Sequence, residues 1–549
     1  MSEKIASAIR GAVPDGVIES GESGGVPVFR LKPEAVLPVC RCLKDSLELR
    51  FDYPESITGV DRGDRIELIY HLSSLLTGAK VILRTDIAGD DPTADSVVSV
   101  WKGANWQERE IFDLLGVKFR NHPDPRRILL PEGWDGYPLR KDYVIPENDR
   151  HFLPDDWSVL CEDTEPEAPV CVTEEDGTVI CEPGRFRTEE IQINMGPQHP
   201  STHGVLRLLL TLDGEIVVDC RPDIGYLHRG MEKLAEMRTY IQFIPITDRF
   251  DYLSSMLNNA VYVGALEKLG GIEVPERVEY IRVIMMELQR IASHLVFYGS
   301  MALDLGATTP FLYAFRERED IIDLFEMTCG ARLTYNYFRP GGVSRDLPDE
   351  FVPKCREFIS KMRKRLPEYD ALFTENEIFL LRTRGVGVIS AEDAKDYGMS
   401  GPNLRGSGVA YDVRKADPYS IYNRFEFDVA VRQEGDVLSR YLVRLQEIRE
   451  SLRIIEQALD GLPDGKVNYK LPPVFKLPEG EVYHHIESSR GDLGCFIISD
   501  GSPKPYRLKW RAPSFISLQA LPKMVKGWKV ADVVAAVGSL DIVLGEVDR

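Results

Sequence analysis

The chain has 549 residues, 43% of them hydrophobic and 28% charged, which is ordinary for soluble globular protein and long enough for more than one domain. A formal net charge of −20 excludes nucleic-acid binding as a main role, because that role needs a basic face. Met1–Gly25 carries no basic-then-apolar signal, and no apolar run reaches the roughly 20 residues of a membrane helix, so we expect a protein that is soluble or peripheral to a membrane.

The first part of the chain predicts one compact α+β unit. Arg65–Leu72 and Lys80–Ile87 have the alternating or apolar runs of adjacent strands. A helical stretch is predicted to open at Pro92 and to include Trp106–Leu115, and Gly116 is expected to end it.

Two segments without regular periodicity follow. Residues 126–143 are rich in proline, glycine and aromatic residues, which predicts an extended arm anchored by Trp134 and tyrosines on another surface, or else an ordinary surface loop. Residues 151–187 are acidic and contain prolines, which predicts an extended linker. We interpret the three evenly spaced cysteines within it, Cys161, Cys171 and Cys181, as incidental.

Cysteine spacing predicts that this chain binds no metal cluster of its own. Zinc and iron–sulfur sites need thiolates clustered at short spacing, and no Cys-x-x-Cys occurs among the nine cysteines. The odd number of cysteines and the absence of a secretory signal favour a reducing compartment, in which the thiols stay free.

Two histidines in a predicted hairpin are the first candidate site residues. Ile191–Met195 and Val205–Leu212 are predicted strands, so His199 and His203 fall in the turn between them. Such a turn can present imidazoles to a ligand, because loops on rigid scaffolds carry much of binding and catalysis. Turn histidines that cap backbone groups are the alternative.

The remainder predicts a helical bundle with strands at both ends. The expected helices and extended segments are Asp248–Leu269, Pro275–Leu303, Pro310–Thr328, Pro348–Leu366 and Asp436–Leu459, then Glu481–Ser499 and Tyr506–Lys509. Glu287, Arg290 and His294 lie on one face of the second helix, which we expect to face solvent or another subunit rather than to form a polar track.

Several motifs resemble subunits of respiratory complex I, the proton-pumping NADH–quinone oxidoreductase. Trp106–Gly116 and the arm resemble its C subunit over residues 30–150. Residues 188–549 resemble its D subunit nearly end to end, through the histidine hairpin and the segments Asp251–Leu253, Ala314–Glu319, Arg339–Val343 and Gly545–Arg549. The two together resemble the fused C/D subunit of some bacteria.

The resemblance implies the following fold class and domains. We expect an α+β protein with a small N-terminal α/β-sandwich-like domain at 1–150, an acidic linker at 151–187, and a helical-bundle domain at 188–549 with β elements at both ends. The last domain is similar to the large subunit of nickel–iron hydrogenases. Hydrogenases hold their metals with two Cys-x-x-Cys motifs, which are replaced here around Thr247–Tyr252 and Ser539–Leu544, although Arg229-Gly230-Met231-Glu232 is retained. Without thiolates, the resemblance implies that the metal cavity is reused as the head of a quinone pocket.

The family match assigns roles to six residues. His203, Tyr252 and Asp304 are implied to bind quinone and supply protons, and His199 lines the entrance or headgroup region. Asp304 would hold His203 and favour its protonated form. His228 and Arg229 are implied to lie beside the terminal [4Fe–4S] cluster of the neighbouring B subunit. No metal or flavin is expected on this chain.

The implied function is that of a peripheral-arm subunit supporting two-electron, two-proton quinone reduction coupled to proton translocation. Expected partners are the B, I and G subunits and the membrane-embedded H subunit, on the cytoplasmic side of the cell inner membrane. The chain alone is expected to have no activity, because nothing in it binds NADH or flavin. Alternatives are a related complex that takes electrons from ferredoxin or deazaflavin, a hydrogenase large subunit, which the missing thiolates disfavour, and a structural scaffold with a vestigial cavity.

Overall fold

The computed structural model describes residues 2–144, 190–197, 204–468, 470–472 and 474–549, and the backbone alone of 171–173 and 179–181. His199 and His203 therefore lie outside the described residues, as does most of the predicted linker. Within that segment the backbones of Cys171–Thr173 and Val179–Cys181 pair as short antiparallel strands.

The N-terminal part is a five-stranded mixed sheet with helices. Its elements are α1 (Ser2–Ala12), β1 (Val17–Ser23), β2 (Val26–Leu31), α2 (Val36–Asp45), β3 (Tyr53–Asp61), β4 (Arg65–Ser73), β5 (Lys80–Ala88), β6 (Thr93–Asp95), α3 (Ala104–Leu115) and β7 (Lys118–Arg120). The sheet order is β1-β2-β5-β4-β3, in which only β2 and β5 run parallel. The two predicted strands are confirmed as β4 and β5.

The helix predicted between Pro92 and Leu115 is α3, and the prediction is right about its end and wrong about its start. Gly116 closes α3 with φ of +80°, a conformation that glycine adopts without strain. The helix begins only at Ala104, because Thr93–Asp95 is held as a strand by parallel pairing with Lys118–Arg120. That partner is distant in sequence, so local periodicity does not reveal it.

The C-terminal part is a helical bundle flanked by two three-stranded antiparallel sheets. Counting the linker strands as β8 (Cys171–Thr173) and β9 (Val179–Cys181), its strands are β10 (Ile191–Met195), β11 (Arg207–Asp213), β12 (Ile216–Asp223), the short pair β13 (Phe338–Arg339) and β14 (Gly342–Val343), β15 (Gly480–Ser488), β16 (Gly491–Ser499) and β17 (Arg507–Arg511). Its helices are α4 (Met231–Met237), α5 (Tyr240–Thr247), α6 (Ser255–Gly270), α7 (Glu276–Asp304), α8 (Thr308–Cys329), α9 (Phe351–Tyr369), α10 (Glu377–Thr383), α11 (Ala391–Asp396), α12 (Gly401–Arg405), α13 (Val413–Ala416), α14 (Val437–Asp460), α15 (Pro513–Leu518), α16 (Leu521–Val525), α17 (Val530–Leu540) and α18 (Leu544–Asp548). The expected α+β class and bundle are thereby confirmed.

The first predicted bundle helix starts later than expected. It begins at Ser255 instead of Asp248, and the residues between form a loop. Asp251 holds this loop, because its carboxylate accepts the Leu253 backbone N–H at 2.9 Å and pairs with Arg490 from far along the chain. The next helix, α7, begins directly after Pro275 as predicted.

The two parts share one hydrophobic core and a polar seam. Across the seam, Arg511 donates to the carbonyl of Glu55 at 2.8 Å and Lys509 pairs with Glu110 at 2.6 Å. The arm of residues 126–143 contains no helix or strand and runs toward the seam, where Lys141 pairs with Glu236 at 2.8 Å. Within the described parts of the chain, no helix is both long and apolar enough to cross a membrane.

Candidate functional site

The two segments that stand in place of the hydrogenase cysteines meet in space. Arg490, in the turn between β15 and β16, joins them through its guanidinium. Its Nη1 lies 2.7 Å from Oδ2 of Asp251, and its Nη2 lies 3.4 Å from Oδ1 of Asp541. All three side chains are buried. A buried ion pair of this kind fixes the separation of the two segments.

A cavity of about 330 Å³ opens at this junction, within the size range of small-molecule pockets. Its lining residues are Tyr252, Leu253, Val296, Ser300, Phe315, Arg318, Leu333, Asp541, Ile542 and Val543. The walls are mostly apolar, and the polar groups among them are a phenol, a hydroxyl, a guanidinium and a carboxylate. A flat, largely apolar molecule with polar atoms at one end matches this lining.

Tyr252 is the predicted site residue that the cavity exposes most directly. The side chain is 45% exposed, so a ligand in the cavity can reach it. Partial burial of the phenol and the nearby charge of Asp251 raise the pKa of Tyr252 above its ordinary value. The phenol therefore keeps its proton at neutral pH and can donate a hydrogen bond.

Asp304 is the last residue of α7, one helical turn beyond Ser300, which lines the cavity. Residues four apart share a helix face, so Asp304 continues the face that borders the cavity. Its carboxylate lies at the negative end of the helix dipole, where it cannot cap carbonyl groups, and this argues against a capping role. Because His203 lies outside the described residues, the pairing of the two stays a prediction.

His228 and Arg229 both contact helix α18, and Arg229 also contacts the segment Thr247–Tyr252. His228 donates through Nδ1 to the carbonyl of Asp548 at 2.6 Å. Arg229 is exposed and donates through Nη2 to the carbonyls of Arg249, at 2.8 Å, and Gly545, at 3.4 Å. Burial and the positive charge of Arg249 lower the pKa of Arg229, although Asp548 opposes this.

The arm supports the loop that carries these two residues. Gly225 has φ of +103°, and a Cβ at that position would lie 2.3 Å from the carbonyl oxygen of Leu129 in the arm. The arm is itself held by Asp113, whose carboxylate accepts the backbone N–H groups of Leu129 and its two neighbours. The arm thus contacts the C-terminal part through Leu129 and Lys141, and the predicted anchoring by Trp134 and the tyrosines stays a prediction.

The expectation that Glu287, Arg290 and His294 face solvent is wrong. All three are buried, because segments distant in sequence bring opposite charges to them. Arg414 pairs with Glu287 at 3.1 Å, and Glu447 pairs with His294 at 2.8 Å. These residues sit at helical spacing among apolar neighbours, which was the available signal for a buried polar track.

Arg290 links that buried network to the site. It donates to the carbonyls of Ser488 at 2.9 Å and Glu487 at 2.7 Å, the residues directly before the turn that carries Arg490. The network therefore holds Arg490 in position. Among the described residues, no group of three or more His, Cys, Asp or Glu side chains is arranged to hold a metal ion.

Comparisons with known proteins identify both parts of the chain. Residues 29–158 match the family of the 30-kDa subunit of respiratory-chain NADH dehydrogenase, and residues 304–475 and 469–549 match that of its 49-kDa subunit. Proteins named as the D subunit of NADH-quinone oxidoreductase are 57% identical in Clostridium beijerinckii and Bacillus thuringiensis and 58% identical in Geobacillus thermodenitrificans, each over 364 residues. These alignments cover 66% of this chain and 98 to 100% of the relatives. The chain therefore belongs to the NADH–quinone oxidoreductase subunit families and is a fused C/D subunit, with a 30-kDa-type and a 49-kDa-type part in one polypeptide.

Proposed function

We propose that the cavity between Tyr252 and Asp541 binds the headgroup of a quinone. One observation carries this proposal: the two segments that lack the hydrogenase thiolates meet around a cavity with apolar walls and a phenol donor. Thiolate chemistry is not available there, whereas hydrogen bonding to a flat apolar ring is. Membership in a quinone oxidoreductase family agrees with a quinone as the substrate.

The lining suits the chemistry of quinone reduction. Reduction to quinol takes two electrons and two protons, and negative charge develops on the carbonyl oxygens. Tyr252 is proposed to donate a hydrogen bond to one oxygen, and His203, held by Asp304, is proposed to serve the other. Leu253, Val296 and Ile542 offer apolar surface to the ring. His199 is proposed to line the entrance or headgroup region.

Electrons are proposed to arrive at the face that carries His228 and Arg229. Arg229 is exposed there and bonds directly to the segment that leads into Tyr252. We propose that this face lies beside the terminal [4Fe–4S] cluster of the B subunit. A guanidinium near such a cluster stabilises its reduced, more negative state.

The remaining assignments are proposals that rest on family membership. They comprise a C-type domain at 1–150, a linker at 151–187 and a D-type domain at 188–549. They also comprise contacts with the I, G and H subunits, a peripheral location on the cytoplasmic side of the inner membrane, and coupling of the reaction to proton translocation.

Replacement of Tyr252 by phenylalanine in the assembled complex tests the proposal. Loss of the donor should lower the rate of quinone reduction at least about tenfold while assembly is unchanged. Tyr313→Phe is the matched control, because Tyr313 lies on α8 but not in the cavity lining. Unchanged turnover and unchanged quinone affinity in Tyr252→Phe would contradict the assignment of Tyr252 to the quinone site.

A further inference from the structure

Three carboxyl groups lie around Arg490, more than the nearby cations can neutralise. Asp251 and Asp541 both pair with Arg490, and Arg444 lies 3.7 Å from Asp541. Glu546 is fully buried, and among the described residues no cation lies within ion-pair distance of it. Its Oε2 accepts the backbone N–H of Ser514 at 3.2 Å and bonds to the Ser514 hydroxyl.

A carboxyl group in that environment keeps its proton to a much higher pH than an exposed carboxyl group does. Burial of an ionised carboxylate without a cation is costly, so the group keeps its proton instead. Burial and the adjacent charge of Asp251 raise the pKa of Glu546 to about 7, and burial likewise raises the pKa of Asp251. Arg440 donates to Ser539 and to backbone carbonyls, and Arg318 on α8 is the cation among the residues that line the cavity.

Backbone packing places this proton beside the candidate site. A Cβ at Gly545 would lie 2.7 Å from the carbonyl oxygen of Phe250, so α18 rests directly on the segment that contains Asp251 and Tyr252. Asp541 belongs to the same cluster and lines the cavity together with Tyr252. Its Oδ2 is buried and accepts no hydrogen bond from the described residues, and Nε of Arg444 lies 3.7 Å from it.

Hydroxyl groups surround the guanidinium of Arg490. Arg490 donates to Ser254 at 2.9 Å and to Ser293 at 3.0 Å, and the hydroxyls of Ser254 and Ser489 are 2.5 Å apart. Hydroxyls both donate and accept, so they can pass a proton without a net charge remaining on them.

We propose that Glu546 stores a proton beside the cavity and that this proton returns to Tyr252 after the phenol has protonated the quinone. This inference rests on the proposed function. The quinone takes two electrons, one at a time, from an iron–sulfur centre of a partner subunit that is reduced again between the two transfers. The Tyr252 O–H bond breaks and an O–H bond forms on one quinone oxygen. The Glu546 O–H bond then breaks, the Tyr252 O–H bond re-forms, and the glutamate left as a carboxylate takes its next proton from solvent. The second proton of the quinol comes from a separate donor, for which His203 is the candidate.

Glu546→Gln in the assembled complex is the test. Glutamine keeps the shape and the bonds to Ser514 but cannot release a proton, so quinone turnover should fall about tenfold or more with unchanged binding of a quinone-analogue inhibitor. In the unaltered complex, turnover should decline as pH rises through about 7, where Glu546 loses its proton, and this decline should disappear in the variant.

Glu108→Gln is the matched control. Glu108 is also fully buried, accepts from a serine hydroxyl at 2.6 Å and a backbone N–H at 2.8 Å, and burial raises its pKa to about 8. It lies in the N-terminal part, away from the cavity, so its variant should keep both turnover and pH profile.

The outcomes separate the inference from the proposed function. Wild-type turnover and pH profile in Glu546→Gln, with Tyr252→Phe impaired, would overturn the proton store alone. If Tyr252→Phe were also normal and the analogue did not bind, both proposals would fail. If the Glu546→Gln complex does not assemble, redox-difference infrared spectra of the unaltered complex test the inference. A protonated-carboxyl band that changes on quinone reduction would support Glu546 as the proton store, and the absence of such a band would contradict it.

Discussion

Replacement of Arg490 by methionine is expected to destabilise the chain by about 3–5 kcal/mol, the cost of leaving a buried charge without its partner. Arg490 is 1% exposed and Asp251 is fully buried, so water cannot replace the lost guanidinium. The variant also loses hydrogen bonds to Ser254 and Ser293. The loss is a large share of the roughly 5–15 kcal/mol that stabilises a domain.

Urea unfolding of the purified chain, followed by tryptophan fluorescence, measures this loss. Adding Asp251→Asn should restore part of the stability, because the double variant buries no unpaired carboxylate. The deficit of the single variant should also shrink as pH falls, since protonation removes the charge on Asp251. Arg363→Met is the control: Arg363 pairs with Glu456 at the surface, where ion pairs contribute less than about 1 kcal/mol. A deficit that depends neither on pH nor on Asp251→Asn would refute the reasoning.

Three further predictions follow from other contacts. Burial disfavours the charged ring of His485, but the charge of Asp492 and the hydrogen bonds to Asp492 and Asp417 together outweigh burial and raise the pKa of His485 to about 9. The stability from these contacts should therefore be complete below pH 6.5 and should be lost as pH rises through about 9, and a urea midpoint that stays flat over that range would contradict this. Gly545→Ala should lower the thermal midpoint of the chain, because its Cβ would meet the Phe250 carbonyl at 2.7 Å, and an unchanged midpoint would show that α18 does not rest there. Asp304→Asn should reduce quinone turnover of the assembled complex about tenfold or more without loss of assembly, and normal turnover would remove Asp304 from the proposed site.

Local sequence pattern was sufficient where the structure is determined by neighbouring residues. The strands β4 and β5 and the helix α7 follow from apolar spacing, with Pro275 at the start of α7. The starts of α3 and α6 could not be predicted from apolar spacing, because pairing with distant residues holds the preceding segments out of the helix.

The candidate site divides in the same way. Tyr252 and the two segments without thiolates were found from the sequence, through resemblance to a family. Arg490 and Glu546 were not, because their importance arises from charges that come together only on folding. The apolar neighbours of Glu287 were the one sequence signal of its burial, since Arg414, which pairs with it, approaches from another part of the chain.

A photoreactive quinone analogue, bound to the assembled complex and mapped by peptide sequencing, tests the central claim most directly. Binding in the cavity predicts labelling of the segments around Tyr252 or Asp541, and excess quinone should abolish it. Label found only on other subunits, or on this chain away from those segments, would contradict the claim that this cavity holds the quinone headgroup.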